Sequence, residues 1–477
     1  MRLKYFFILH LAACTLAATP EDEKCPINIP GYTHRGDCNL LCKEATWTDI
    51  TVFYLGNYVA HAVTVNTDPG QPILSSVLAV ILVILFPGTG IEKALLAIYS
   101  RAVLALTELQ QAARAGALCV VRKRDTSAAS SVANSTSTTE EEEQAMKPTK
   151  NPISLVSEKL HGICELPEGY YLATLPQDAT FEDDPSPGEL QSLHWTERGL
   201  VGSIKSLFMP RPRRNHISCS YNLVKIAASA AQLLFACATL YRIRGDQIER
   251  FGYAAFRLTV AQCAWMSFLN LLGNAVRPGY PTKFLVGSDS LDNLRALLRR
   301  KCQESESPIS GSVGRISQET EARLSAMQKD SRQRRMSSLV SKLVRLVYGG
   351  TINSIPEYGQ LSTLGPDLPI IGAVPIAIIG GISRFSPGAS EYYQRVWIMT
   401  WFVFGIVAGP LAASFLGAIA NREWQGIFRN EARRDPSFVA MEMLIYMIWL
   451  VAYATPAIGG LLVVGQMIRE YGVCTEL

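Results

Sequence analysis

Charge is what this sequence has least of. Only 18% of its 477 residues are Asp, Glu, Lys or Arg, and 48% are hydrophobic, whereas an average soluble domain is about 25% charged. The shortage is local, because it comes from long apolar blocks separated by polar stretches of ordinary or high charge. Catalytic patterns are missing too. The chain has no HExxH, no GxSxG, no P-loop, no paired carboxylates inside an apolar block and no repeated CxxC at zinc spacing. Zinc hydrolysis, serine-nucleophile chemistry and nucleotide hydrolysis therefore have no residues to stand on. Basic and aromatic residues do not interleave as an RNA-binding surface requires, and a net charge of +4 gives little drive toward nucleic acid. The expectation is a protein with no enzymatic activity, cofactor, resident metal or nucleic-acid partner.

What is present begins with a targeting pattern. Arg2 and Lys4 precede an apolar run from Tyr5 to Leu16, and the small residues Thr15 and Ala17 lead into an acidic stretch. That is the three-part form of a signal peptide over residues 1–18. An uncleaved anchor, or a lipoprotein box at Leu11 to Cys14, are the alternatives. Secretory entry places the following leader outside, where cysteines tend to oxidise.

About twenty mostly apolar residues cross a bilayer as a helix. Five blocks meet or nearly meet that length: Ile217 to Tyr241, Tyr253 to Val276, Leu368 to Ser383, Val396 to Ala420, and Met441 to Met467. A sixth, Ile73 to Phe86, is intensely apolar but short and runs into Pro87 and Gly88, so it reads either as a span or as a re-entrant segment. A seventh, Thr46 to Val65, carries Asp49 and His61, which are costly at depth, and reads best as an interfacial helix. Basic residues near span ends favour the cytosol. Six spans place Arg122 to Arg124, Arg213-Arg214, Arg299 to Lys301, Arg334-Arg335 and Arg433-Arg434 there, whereas seven would place them outside. The predicted fold is therefore an all-α, polytopic transmembrane helical bundle, six spans favoured and seven possible, with disordered loops.

The organisation expected along the chain is a signal peptide (1–18), a Cys-containing leader with an interfacial helix (19–65), and a first hydrophobic block with its following helix (66–120). A polar loop (121–216), a transmembrane helix pair (217–276) and a polar, basic loop with an amphipathic helix (277–367) come next. Three transmembrane helices (368–468) and a tail (469–477) complete it. The Ser/Thr/Glu-rich run after Asp125 lacks the apolar residues needed to order itself. It contains Asn134, a glycosylation acceptor if lumenal. Ser337, after Arg334-Arg335, is a phosphorylation acceptor if cytosolic. Within the spans, Gly405, Gly409, Ala413 and Gly417 recur every four residues and make a small stripe for close helix packing. Lys225 and Arg257 read as snorkelling groups, and Gln232, Gln262 and Asn270 as interhelical hydrogen bonds. Breakers at Pro375, Pro410 and Pro456 offer a transporter-like site. The partners expected are the lipid bilayer and proteins that meet the long loops; a small-molecule substrate is unknown.

Eleven cysteines are present. Cys25, Cys38 and Cys42 lie in the leader, and the first function expected of them is a disulfide. Together with His34 they also form a formal zinc set. Three is an odd number, and six spans bring Cys474 outside as the fourth partner, whereas seven would offer Cys119 and Cys164 instead. The string CNLLCKEATWTDITVFYLGNYVAHA, clearest in its likeness over residues 36–100, resembles multi-pass membrane proteins of filamentous fungi. That resemblance implies a fungal integral membrane protein with a signal peptide, and it lends no activity or ligand. The function expected is a non-enzymatic sensing or scaffolding component of the secretory pathway or plasma membrane. A transporter or channel with a site at the broken helices is the alternative, and a heptahelical receptor a third.

Overall fold

A computed structural model describes residues 25, 29–123, 159–162, 166–167, 170–182, 217–241, 243, 246–301, 309–326, 367–406 and 436–476. The signal segment 1–18, Asn134, Ser337, Pro410 and three members of the small stripe, Gly409, Ala413 and Gly417, lie outside these residues.

In chain order the elements are β1 (Leu40–Lys43), α1 (Trp47–Tyr54), a π turn (Leu55–Val59), α2 (Ala60–Ala62), α3 (Ile73–Leu85), α4 (Pro87–Ser100), α5 (Glu108–Arg114) and β2 (Leu118–Lys123). There follow β3 (Tyr170–Thr174), α6 (Leu223–Tyr241), α7 (Gln247–Phe251), α8 (Val260–Val276), β4 (Phe284–Leu285) and α9 (Asp289–Lys301). The chain ends with α10 (Asp367–Gly372), α11 (Val374–Ser383), a helix over 392–406, α12 (Pro436–Tyr471) and β5 (Val473–Glu476).

The six- or seven-span bundle is corrected here. Among the described residues a single helix, α6, is long and apolar enough to cross a membrane. The Tyr253 to Val276 block is helical as α8 only from Val260. Gly252, at φ +56°, turns the chain before it, and its Cα lies too close to the Ser386–Pro387 backbone for any side chain. The Leu368 to Ser383 block is divided at Ala373, ahead of Pro375. The Ile73 to Phe86 block does not continue: Phe86 leaves helical geometry, Pro87 restarts the helix at its first turn, where a missing N–H is harmless, and the axis bends by 117°. Such a bend fits either a broken span or the re-entrant alternative.

The fold is also not all-α. Two small sheets bracket the helices. In one, β1 pairs antiparallel with β5, Cys42 opposite Cys474. In the other, β2 lies between β3, antiparallel, and β4, parallel. Leu118, Val120, Phe181, Phe284, Val286 and Ile316 are buried on one side of this second sheet, and Cys119, Val121, Leu285, Leu291 and Leu294 on the other. Stretches expected to be loops thus supply an ordered core, because β-branched and aromatic residues on β2, β3 and β4 alternate between its two sides.

The helices run between these two ends. At the disulfide end, Arg35 donates to Glu470 O at 2.8 Å and to Tyr471 O at 3.0 Å, and Arg250 pairs with Glu470 at 2.6 Å. Tyr58, Phe251, Phe256, Trp401 and Tyr471 form the aromatic core beside it; Tyr58–Trp401 and Phe256–Tyr471 meet edge to face, a favoured ring geometry. At the sheet end, Asp68 faces Lys93 and Arg277. Between the ends the outer surface is apolar: Trp47 and Val52 on α1, Ile73 on α3, and Leu223, Val224, Leu234 and Tyr241 on α6 are exposed.

Candidate functional site

The first helical run starts at a capping box. Thr46 N donates to Asp49 Oδ2 at 2.9 Å, and Asp49 N donates to Thr46 Oγ1 at 3.4 Å, which satisfies backbone donors that a helix start leaves unpaired. The Thr46 hydroxyl, which donates to Asp49 Oδ2 at 2.6 Å, and then the Thr46 N–H hold the Asp49 carboxyl below its ordinary value. Asp49 is thus a cap and not a charge at depth. His61, at the far end of the same run, is fully buried.

His61 belongs to a polar seam. Along α8, Thr259, Cys263, Ser267, Asn270 and Asn274 are spaced by four, four, three and four residues, which puts them on one helix face. From Thr259 to Asn274 this stripe covers about 22 Å at 1.5 Å per residue. The first helical run packs along it in parallel. The Tyr58 and Thr259 hydroxyls are 2.5 Å apart, and His61 Nδ1 lies 2.6 Å from Ser267 Oγ. Asn66 Nδ2 donates to Asn270 Oδ1 at 3.5 Å, and Asn274 Nδ2 donates to Thr64 O at 3.1 Å. From α6, Gln232 Nε2 donates to Ala60 O at 2.7 Å. The interhelical role read for Gln232 and Asn270 is what these bonds show.

The seam is not saturated. On the helices that flank it, seven buried atoms make no hydrogen bond among the described residues: Asn57 Oδ1, His61 Nε2, Ser229 Oγ, Gln232 Oε1, Gln262 Nε2, Asn270 Nδ2 and Asn274 Oδ1. Each such atom costs on the order of 1–3 kcal/mol if left dry, so seven approach the whole net stability of an ordinary domain, roughly 5–15 kcal/mol. The π turn Leu55–Val59 lies in the seam and contributes buried Asn57 and Tyr58; such turns recur at functional sites.

A second polar feature closes the sheet end. Asp68 Oδ2 is 3.3 Å from Lys93 Nζ, and its Oδ1 is 3.7 Å from Arg277 Nη2. Arg277 also donates twice to Ala115 O, at 3.1 and 2.6 Å. Burial alone would raise the Asp68 carboxyl, but Lys93, Arg277 and Lys283 together outweigh it and hold the group at about 2. Burial likewise pushes the Tyr280 hydroxyl well up. Lys225 donates to Thr67 Oγ1 at 3.1 Å. Its neighbours Ser220 to Val224 line, with it, a cavity of about 340 Å³.

Other expected sites resolve as follows. Cys25 bonds to Cys38, and Cys42 to Cys474, so among the described cysteines the pairing is the one that brings in Cys474 and not Cys119. The bonded sulfurs are not thiolates, which closes the zinc alternative with His34. Among the described residues no three His, Cys, Asp or Glu side chains converge as a metal site. Cys119 is a buried thiol on β2. Gly405 packs on the α3–α4 break, where its Cβ position lies 3.3 Å from Pro87 Cδ. Lys225 sits at the sheet end, and Arg257 lies within electrostatic reach of Tyr471 at the disulfide end, so the two share no site. The breaks at Pro375 and Pro456 do not line the seam through any hydrogen bond among the described residues; Gly459 and Gly460 near Pro456 instead give way to Trp397 and Trp401. Sequence reasoning weighed Gln262 and Asn270 singly and missed the α8 stripe, although its helical spacing was there to be counted.

Comparison with family models, curated proteins and solved structures finds no match. The geometry alone therefore carries the functional reading.

Proposed function

We propose that this is an integral membrane protein of the secretory pathway or cell surface, without enzymatic activity, whose polar seam conducts protons or small polar solutes between its two ends. The observation that carries this reading is the set of seven unsatisfied polar atoms on the helices that flank the seam. Buried polar atoms are normally paired, so a seam left open is a place for a passing hydrogen-bonding partner. Membrane placement is supported by α6, only 11% of whose apolar window is buried. The core helix of a soluble protein would be mostly covered, and exposed apolar surface of this extent seeks a partner. The α3–α4 pair bends by 117° at Phe86, and irregular backbone at depth is tolerated where it is buried in protein. The two disulfides suit an oxidising outer side, and the cations around Asp68 a cytosolic one.

A sensing or scaffolding component is the second reading. It is favoured by the bonds that tie the helices across the seam, notably His61–Ser267 and Gln232–Ala60, since such bonds hold helices together in lipid. Proton flux separates the two. Full-length protein in liposomes loaded with a pH-sensitive dye should dissipate a pH step faster than protein-free liposomes, and Asn270→Leu should slow it by about tenfold, the effect of roughly 1.4 kcal/mol on the barrier. A wild-type rate equal to that of protein-free liposomes would leave the scaffold reading standing.

A further inference from the structure

We infer that His61 is the proton carrier of the seam, passing each proton between Ser267 and a water at its other ring nitrogen. This role rests on the conducting function proposed for the seam and narrows its cargo to protons. His61 and Ser267 are both fully buried. His61 Nδ1 lies 2.6 Å from Ser267 Oγ, while Nε2 is buried and has no hydrogen-bond partner among the described residues. Ser267 stands eight residues beyond Thr259 and seven before Asn274, so the imidazole meets the polar stripe of α8 at its middle. The other side chains bonded there, Tyr58, Thr259, Asn66, Asn270 and Asn274, carry hydroxyls and amides. Histidine alone ordinarily takes up and releases a proton near neutral pH.

The partner of Nδ1 decides what the ring can do. A backbone carbonyl or a carboxylate only accepts, and it would hold the imidazole in one tautomer. A serine hydroxyl both donates and accepts, so Ser267 matches either tautomer and the ring exchanges them without losing the bond. No charged side chain among the described residues acts on His61, and an unpaired buried charge is costly, so the ring rests neutral. The open nitrogen calls for a water, because a buried polar atom is seldom left without a partner. In the transfer, bare Nε2 takes the excess proton arriving on that water, and the ring becomes a transient imidazolium. Nδ1 then gives its proton to Ser267 Oγ as the hydroxyl releases its own to the next acceptor. The ring is left neutral in the other tautomer; one proton has moved on, and nothing is oxidised. Return to the first tautomer readies it for the next.

The test reads both the tautomer and the flux, with full-length protein in liposomes. Ala60–His61 is the only Ala-His pair in the sequence, so carbonyl-labelled alanine with nitrogen-labelled histidine picks out the His61 signals by solid-state NMR in the unaltered protein. Tautomer exchange should draw the shifts of its two ring nitrogens together. The widely separated pair of one fixed tautomer would overturn the proposal, and that result needs no variant to fold. In dye-loaded liposomes the wild type should pass protons faster than protein-free liposomes do. His61→Asn keeps an amide for Ser267 but cannot carry a proton, and Ser267→Ala removes the partner. Each should lower proton flux by about a hundredfold, or to the protein-free rate, the scale of one positioned proton-transfer group. Flux unchanged in His61→Asn would overturn the carrier role and leave the seam a conductor. Wild-type liposomes that pass urea, followed by light scattering, but no protons would do the same. Liposomes that pass neither would bring down the conducting function and this role with it.

Discussion

Removing the Cys42–Cys474 disulfide should destabilise the protein about twice as much as removing Cys25–Cys38. The first closes a loop over a sequence separation of 432 and the second over 13. In the chain-entropy account the loss grows with the logarithm of loop length, giving about 6 kcal/mol for the long loop and about 3 kcal/mol for the short one. Beyond Tyr471, the ties at the long clasp are individually weak. Its ladder has four residue pairs, and a two-stranded ribbon is marginal alone. The Arg250–Glu470 ion pair is half exposed and contributes at most about 1 kcal/mol. The two Arg35 bonds to backbone carbonyls, a bond from Thr475 Oγ1 to Leu41 O and the burial of Tyr471 in the aromatic core add to these. The double variants Cys42→Ala with Cys474→Ala, and Cys25→Ala with Cys38→Ala, each remove both halves of one bond and can be compared directly. Thermal unfolding in detergent, followed by tryptophan fluorescence, reads the order of the two losses. Limited proteolysis should cut the first variant beyond Tyr471 and spare the second. An equal or smaller loss for the long clasp would refute the reasoning, because it would mean that the unfolded chain is already closed by something other than the disulfide.

Three further outcomes are expected. Thr46→Ala removes the cap of α1 and should cost about 1 kcal/mol, read as a lower unfolding midpoint, while Thr46→Ser should restore most of it. Asp68 has a folded value of about 2, below its ordinary 3.8, so its contribution is present above pH 4 and lost as the pH falls through 2. With its side chain 46% exposed, that contribution is about 1 kcal/mol after solvent screening. The unfolding midpoint should fall between pH 4 and pH 2 in the wild type and by less in Asp68→Asn. Gly459→Ala would drive a methyl into the Trp397 ring and should lower the melting temperature by several degrees, an overpacking cost of about 1–3 kcal/mol; Gly381→Ala, which meets nothing, should leave it unchanged.

The legible parts of this fold are those with local causes. Pro87 and Gly88 after a fourteen-residue apolar run announce a break, and the chain does turn there. Cysteine identity and number, taken with an oxidising compartment, pointed to Cys25, Cys38 and Cys42, whereas Cys474 entered only through the six-span topology, with Cys119 and Cys164 as its seven-span alternative. The T-x-x-D spacing of Thr46 and Asp49 is a cap signature, and weighing Asp49 only as a cost at depth overlooked it. The second sheet was hidden for another reason: Val120 pairs with Ala173, and Leu118 with Phe284, partners that polar segments separate by long stretches of chain. No local period records such pairing. The number of spans was overestimated because hydropathy counts apolar residues without knowing what covers them, and α8 is apolar yet largely buried. The seam was partly legible, since its α8 residues obey helical spacing; the matching face from Asn57 to Asn66 becomes visible only once the two helices lie together.

The central claim is that water reaches the seam while lipid covers the outer face. Ser267 is fully buried, and Cys237 on α6 is exposed. Full-length protein carrying Ser267→Cys, reconstituted in liposomes, can be treated with a small, charged, water-soluble thiol reagent and mapped by mass spectrometry. The account predicts modification at position 267 and none at Cys237. Modification of Cys237 with an inert position 267 would contradict it, because that is the pattern of a dry seam and a helix facing water.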